Sequence, residues 1–298
     1  MTVPHFSGEE REIGGCVLFV RSSAQPAATR RPTAVMVHGL GGQSTNWTDL
    51  MAELADLDAW ALDLPGFGWS PPPHDGDYSL TADAELVAAL VEQLHGERGG
   101  PVHLFGNSLG GAVAVLAAAA RPDLVASLTL ISPALPDLRP RRDTLGVPAV
   151  AVPGLGKQLY QRMARVPPER QVQGMVALNY GDAGTFSPQR RAEAIAEVHR
   201  RLALPYAGEA LSGAARGLLK AFLDPGPSGL WAAASRVTCP TLVLYGGRDR
   251  LVDPRRSRRA ARAMRHARIV MLPRAGHVAQ MEDPRLVARF VRPMVAAA

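Results

Sequence analysis

Three side chains in this sequence have the chemistry of acyl transfer, and each stands where an apolar run ends. The first is Ser108, in GNSLG at 106–110. It follows the apolar run VHLF and precedes GGAVAVLAAAA, so a strand turns sharply into a helix with the serine at the bend. Such a bend exposes the hydroxyl and strains its backbone, and it needs small residues at Gly106 and Gly110, where strand and helix pass closely. A serine hydroxyl is a weak nucleophile near neutral pH and needs a base within hydrogen-bond reach, itself oriented by a third group. Of the eight histidines, His277 in PRAGHVAQMEDP follows the last strand-like run, at the same sheet edge as Ser108. His103 lies inside the strand leading to Ser108 and reads as structural, while His5, His74, His95, His199 and His266 fall in terminal, loop or surface-helix settings.

Three carboxylates stand at strand ends. Asp249 directly follows TLVLYGG and is the expected partner of His277; Asp63, in LDLPGFG, reads as a brace for a turn, and Asp253, just before Pro254, as a helix cap. Acyl transfer also needs donors aimed at the developing oxyanion. HGLGG at 38–42 supplies a glycine-rich turn after the strand TAVMV, so the backbone N–H of Leu40 is expected to act with that of Leu109, the residue after the nucleophile. His38 is then structural, holding that loop through a side-chain hydrogen bond. Neither GLGG nor GFGWSP completes a dinucleotide fingerprint, because Ser44 and Pro71 occupy the third glycine position. No cofactor and no metal are expected.

These residues require a frame. From 33 to 135, apolar strands (33–39, 59–66, 101–108, 127–132) alternate with helical stretches near 45–56, 80–98 and 109–121, the signature of a parallel sheet flanked by helices. REIGGCVLFVRSS, upstream, reads as an antiparallel edge hairpin. After Pro133 the texture changes: prolines at 136, 140, 148, 153, 167 and 168 are followed by mostly helical patterning. Strand and helix order resumes at 239–249, with a helix near 255–265, a strand at 268–273 and a last helix from about 284. The expected organisation is a core of 1–135 and 236–298, with 136–235 a mainly helical cap inserted after the sixth strand.

Composition sets the outer bounds. The chain has 298 residues, 47% of them apolar, enough for a full core. Its two cysteines, Cys16 and Cys239, are too few for a disulfide framework, which favours a reducing, cytoplasmic setting. No apolar leader or run of membrane-spanning length is seen, so no integral membrane segment is expected. The net charge of +6 comes from arginine, with Lys157 and Lys220 the only lysines. The cluster RRSRRAARAMRHAR at 255–268 spaces its Ala and Met as one buried helical face, which reads as a solvated helix surface rather than a nucleic-acid patch.

HGLGG, DLPGFGWS, GNSLGG, GGRD and AGH, in this order, resemble the α/β hydrolase superfamily over about 1–135 and 236–298. The resemblance implies the α/β hydrolase fold and the order Ser, Asp, His for the catalytic residues. It is nearest to cap-bearing esterases, carbon-carbon hydrolases of ring degradation, epoxide hydrolases and haloalkane dehalogenases. The last two carry Asp where this chain has Ser108, which points to an acyl-enzyme and a carbonyl substrate. Carbon-carbon hydrolases typically carry Trp after the catalytic His, where this chain has Val278. The expected activity is therefore hydrolysis of a carboxylic ester of a small, apolar substrate, as in a carboxylesterase. The alternatives are carbon-carbon cleavage of a ring-fission diketone, with Arg190 or Arg191 holding a substrate carboxylate, and a non-hydrolytic receptor or biosynthetic cyclase on the same fold. Tyr160, Met163, Met175, Tyr180, Phe186, Tyr206, Phe222 and Trp231 are available as pocket lining, with Tyr160 and Trp231 the named candidates for substrate contact. The oligomeric state has no signal in the sequence.

Overall fold

The computed structural model describes residues 3–24, 31–136, 146–152 and 154–298. The chain opens with an antiparallel hairpin, β1 (Gly8–Ile13) and β2 (Cys16–Ser22), and continues β3 (Thr33–Val37), α1 (Thr48–Glu53), β4 (Asp58–Leu62), α2 (Leu80–Arg98), β5 (Val102–Asn107), α3 (Leu109–Ala120) and β6 (Val125–Ile131). Among the described residues six α-helices follow: α4 (Gly146–Ala151), α5 (Leu155–Met163), α6 (Pro168–Asn179), α7 (Pro188–Leu202), α8 (Ala207–Leu223) and α9 (Leu230–Arg236). The chain then returns to the sheet with β7 (Thr241–Gly246), α10 (Ser257–Ala263), β8 (Ala267–Leu272), α11 (Ala279–Glu282) and α12 (Pro284–Ala297).

The eight strands form one sheet in the order β1-β2-β4-β3-β5-β6-β7-β8, parallel from β4 to β8 and antiparallel at the β1 and β2 edge. This is the expected α/β hydrolase fold. The central strands are continuous apolar runs because both their faces are covered: β3, β4, β5 and β7 are buried at every residue. One face carries α2, α3 and α9 over a core that includes Val35, Leu104, Val113 and Leu130; the other carries α1 and α12 over Met36, Phe105, Ile131 and Leu244. Helix α3 lies between α2 and α9 on the sheet, which is why its sequence is alanine, valine and leucine all round. Helix α2 begins at Ser79, whose side chain accepts from Ala82 N, and stops at Gly99, at φ 73°.

The helical segment between β6 and β7 divides its loyalties. Helices α6 and α7 share a small core of their own, Val172, Val176, Tyr180, Phe186 and Val198, which also takes in Val278. Helices α8 and α9 instead bury Ala210, Ala214, Leu218, Leu230, Ala233 and Ala234 in the main core. Residues 137–145 and Pro153, where the expected insertion begins, lie outside the described residues.

One buried carboxylate makes the stability of this frame depend on pH. Asp83, in the first turn of α2, is buried; burial, reinforced by Asp77, raises its pKa from 3.8 to about 7. Because the folded value is raised, its contribution is fully present below pH 3.8 and is lost as pH rises toward about 7, where the unfolded chain is ionised and the folded one resists ionisation. Asp83→Asn should therefore raise the thermal midpoint by more at pH 8 than at pH 4.5, as read from melts at matched ionic strength; an equal gain at both would show that Asp83 ionises normally in the fold.

Candidate active site

Ser108 stands at the bend between β5 and α3 with φ 54° and ψ −118°, a backbone state that L-residues avoid. The flanking glycines let the bend close. A Cβ on Gly106 would lie 2.3 Å from Gly110 O, and one on Gly110 would lie 2.3 Å from the carbonyl oxygens of both Val37 and His38. Ser108 N donates to Ile131 O at 3.1 Å, and Ser108 O accepts from Gly111, Ala112 and Ala134. The bend is thus fixed by its own helix and by the end of β6.

His277 and Asp249 meet from the ends of β8 and β7. Nδ1 of His277 donates to Oδ2 of Asp249 at 2.9 Å, the tautomer that, in a neutral ring, has its free lone pair on Nε2. The other carboxylate oxygen, Oδ1, accepts from Leu251 N at 2.8 Å and Val252 N at 2.9 Å. Burial pushes the Asp249 pKa up, but the His277 imidazole, the Val252 amide and the Ser132 hydroxyl outweigh it and hold the carboxyl below its ordinary value. Asp253 has a different setting: it caps a short 3-10 turn by accepting from Arg255 N at 3.0 Å. Asp63 accepts from Ser44 N at 2.5 Å and Trp69 N at 2.8 Å, bracing the loops after β3 and β4.

His38 is buried beneath the 39–42 loop. Leu64 N donates to its Nε2 at 3.0 Å, so Nδ1 carries the proton and donates to Gly39 O at 2.8 Å; burial lowers its pKa. His103 pairs with Ser127 Oγ at 2.8 Å and is lowered to about 4 by burial, so both rings are neutral fixtures. The loop itself closes through Gly42 N donating to Gly39 O at 2.9 Å. Neither the Leu40 N–H nor the Leu109 N–H donates to an acceptor among the described residues, and Leu109 N opens α3, where the helix dipole favours negative charge.

A cavity of about 590 Å³ covers these groups. Its floor is Leu40, Asn107, Ser108 and His277, and its walls and roof come from Leu135, Met175, Leu178, Tyr180, Leu218, Phe222, Trp231 and Val252 among others. Of the two named candidates for substrate contact, Trp231 lines this cavity. Tyr160 does not: its ring packs on Gly208 between α5 and α8. Met163, Phe186 and Tyr206 also face elsewhere, Phe186 packing edge-on against Tyr180 with ring centroids 5.2 Å apart. Arg190 is bound to Asp49 at 2.6 Å and Glu193 at 2.7 Å, and Arg191 lies over Phe186, so neither arginine reaches the cavity. Among the described residues, no group of three or more His, Cys, Asp or Glu could hold a metal ion, and no helix is long and apolar enough to cross a membrane.

Two further residues do structural work here, Asn107 from inside the GNSLG run and Glu282 from outside any motif. Asn107 Nδ2 donates to Ile131 O at 2.9 Å and His277 O at 3.0 Å, tying the serine bend to the histidine loop. Glu282 accepts from Gly276 N at 2.8 Å and from Gly181 N and Asp182 N at 3.0 Å each, so one carboxylate joins the histidine loop to the end of α6. His277 N donates to Asn179 O at 2.6 Å in the same seam. The signal for Asn107 was its position beside Ser108; for Glu282 there was none, since its partners are backbone amides.

Sheet, serine bend and covered cavity define a class: enzymes of the α/β hydrolase type. The chain belongs to the alpha/beta hydrolase fold family, whose model matches residues 32–284. It is 30% identical over 254 residues to the dihydrolipoyllysine-residue acetyltransferase component of an acetoin cleaving system from Cupriavidus necator, covering 84% of this chain and 60% of that protein. The chain thus spans about three-fifths of that relative's length. It is 27% identical to an esterase of Mycobacterium tuberculosis, covering 88% of this chain and 82% of the relative. A thermophilic esterase from Thermogutta terrifontis superposes with a TM-score of 0.71 at 25% identity, covering 98% of each chain.

The Glu282 clasp has a measurable weight. Hydrogen bonds to a charged group contribute roughly 1.5–3 kcal/mol each, less what water restores. Glu282→Ala should lower stability by about 2 kcal/mol in urea melts, and Glu282→Gln, which keeps one acceptor oxygen, by less. No measurable loss in Glu282→Ala would mean the carboxylate is not the joint described.

Proposed function

We propose that the chain hydrolyses a carboxylic ester of an apolar acyl group through an acyl-enzyme on Ser108. The observation that carries this reading is the shared cavity floor: a serine in a strained bend and a histidine whose far nitrogen is held by a buried carboxylate at 2.9 Å. Ser108 Oγ attacks the carbonyl carbon as its proton passes to Nε2 of His277. Asp249 fixes the reactive tautomer and favours the imidazolium that forms. The oxyanion is met by the free N–H groups of Leu40 and Leu109, each such donor typically worth about 3 kcal/mol in the transition state. His277 then protonates the leaving alkoxide, and water repeats the sequence on the acyl-enzyme. The helices α4–α7 act as a substrate-selecting cap, anchored to the core through α8 and α9.

An ester fits better than a ring-fission diketone. Arg190 and Arg191, the residues named for a carbon-carbon substrate's carboxylate, are both engaged away from the cavity, so neither supplies that contact. Val278, where a tryptophan would stand, is held in the α6–α7 core.

Ser108→Ala removes one hydroxyl and no packing, so it should leave the melting temperature in place and lower turnover of a short p-nitrophenyl ester by about a millionfold. Near-normal turnover in the folded variant would sink the serine mechanism and favour a binding role for the fold. The carboxylate can be tested separately. Asp249→Asn should lower kcat by roughly ten-thousandfold, because Asn stabilises the wrong tautomer, whereas Asp253→Asn should have a small effect; the reverse ranking would move the role to Asp253.

A further inference from the structure

The cavity above Ser108 is walled mostly by hydrocarbon. Among the described residues lining it, Arg259 on α10 is the one arginine or lysine and Asp253 the one carboxylate. Asp253 is already engaged, by Arg255 N at 3.0 Å and by the Arg255 guanidinium at 3.1 Å. Arg259 has no hydrogen bond or ion pair among the described residues; its guanidinium lies over the indole of Trp231, 4.3 Å from the ring centroid. Stacking occupies one face of the guanidinium and leaves its N–H edge for an acceptor, and it fixes the group before any ligand arrives. Arg258 and Arg262, on the same helix, are also exposed, so α10 carries an excess of positive charge. The arginine cluster that composition left as a plain solvated surface thus includes a residue at the edge of the cavity.

We propose that Arg259, stacked on Trp231, is a specificity-determining residue that receives an anionic end group, so that the preferred substrates are apolar acyl esters bearing a carboxylate at the end remote from the scissile carbonyl. The inference rests on Ser108 acting as an ester hydrolase. The apolar walls take the methylene chain, whose burial favours binding. The planar guanidinium offers two parallel N–H groups to the terminal carboxylate. A stack that merely closed the cavity would predict no such preference.

The test compares methyl monoesters of straight-chain dicarboxylic acids of about six to twelve carbons with methyl esters of monocarboxylic acids of equal length, hydrolysis being followed by acid release. At the best length, the acid-ended ester should be favoured in kcat/KM by about tenfold, mainly through KM, and the preference should narrow as salt screens the charges. Arg259→Gln should bring the ratio of the two close to one, and Arg259→Lys should keep part of it. A wild-type preference for the neutral ester, or a ratio that Arg259→Gln leaves unchanged, would overturn the proposal. Hydrolysis of neither ester by the folded chain would count against the esterase reading instead. Calorimetric titration of Ser108→Ala with the same esters then decides the anion site: tighter binding of the acid-ended ester that is lost in Ser108→Ala/Arg259→Gln supports it, and affinity independent of Arg259 refutes it.

Discussion

The close approach of β5 and α3 is the constraint on which the rest of the site depends. To turn from strand to helix in one residue, the backbone enters a left-handed state at Ser108, and two neighbouring positions must lack a side chain. The strain is affordable because β5 is central: β3 and β6 flank it, and both faces of the sheet are covered. Those same neighbours deliver the other parts. The loop after β3 carries Leu40, the end of β6 carries Pro133–Pro136, and Asn107 reaches across to the histidine loop.

Much of this was legible because the relevant forces are local. The sheet strands are runs of apolar residues ending in Gly, Asp or Ser, so their order and the bend at GNSLG follow from pattern alone. Asp249 and Asp253 could be ranked from sequence because one directly follows a strand and the other precedes a proline, and the environments differ accordingly: paired amides and an imidazole against a single turn cap.

The helical segment was harder to read, for a physical reason. Its helices bury their apolar faces in three ways: against each other, in the main core, or around the cavity. Periodicity gives the face but not the partner. Tyr160 therefore packs on Gly208 while Trp231 lines the cavity, although both looked equally available. Arg190 is fixed by Asp49, a partner 141 residues away in sequence. α9, inside the expected insertion, sits on α3 as part of the main core. Long-range choices of this kind leave no trace in local spacing.

The seam between α6 and the histidine loop gives the molecule a fulcrum. Residues 177–182 are tied down by five hydrogen bonds: Asn179 O from His277 N, Gly181 N and Asp182 N to Glu282, Gly181 O from Arg248, and Ala177 O from Arg250. Trp231, by contrast, sits on α9, whose Leu230, Ala233 and Ala234 are buried in the main core, and its indole meets the guanidinium of Arg259. Separating the first edge would break its bonds together and drag the imidazole with it. Whatever enters the cavity, the alignment of its imidazole is guarded by the Glu282 seam.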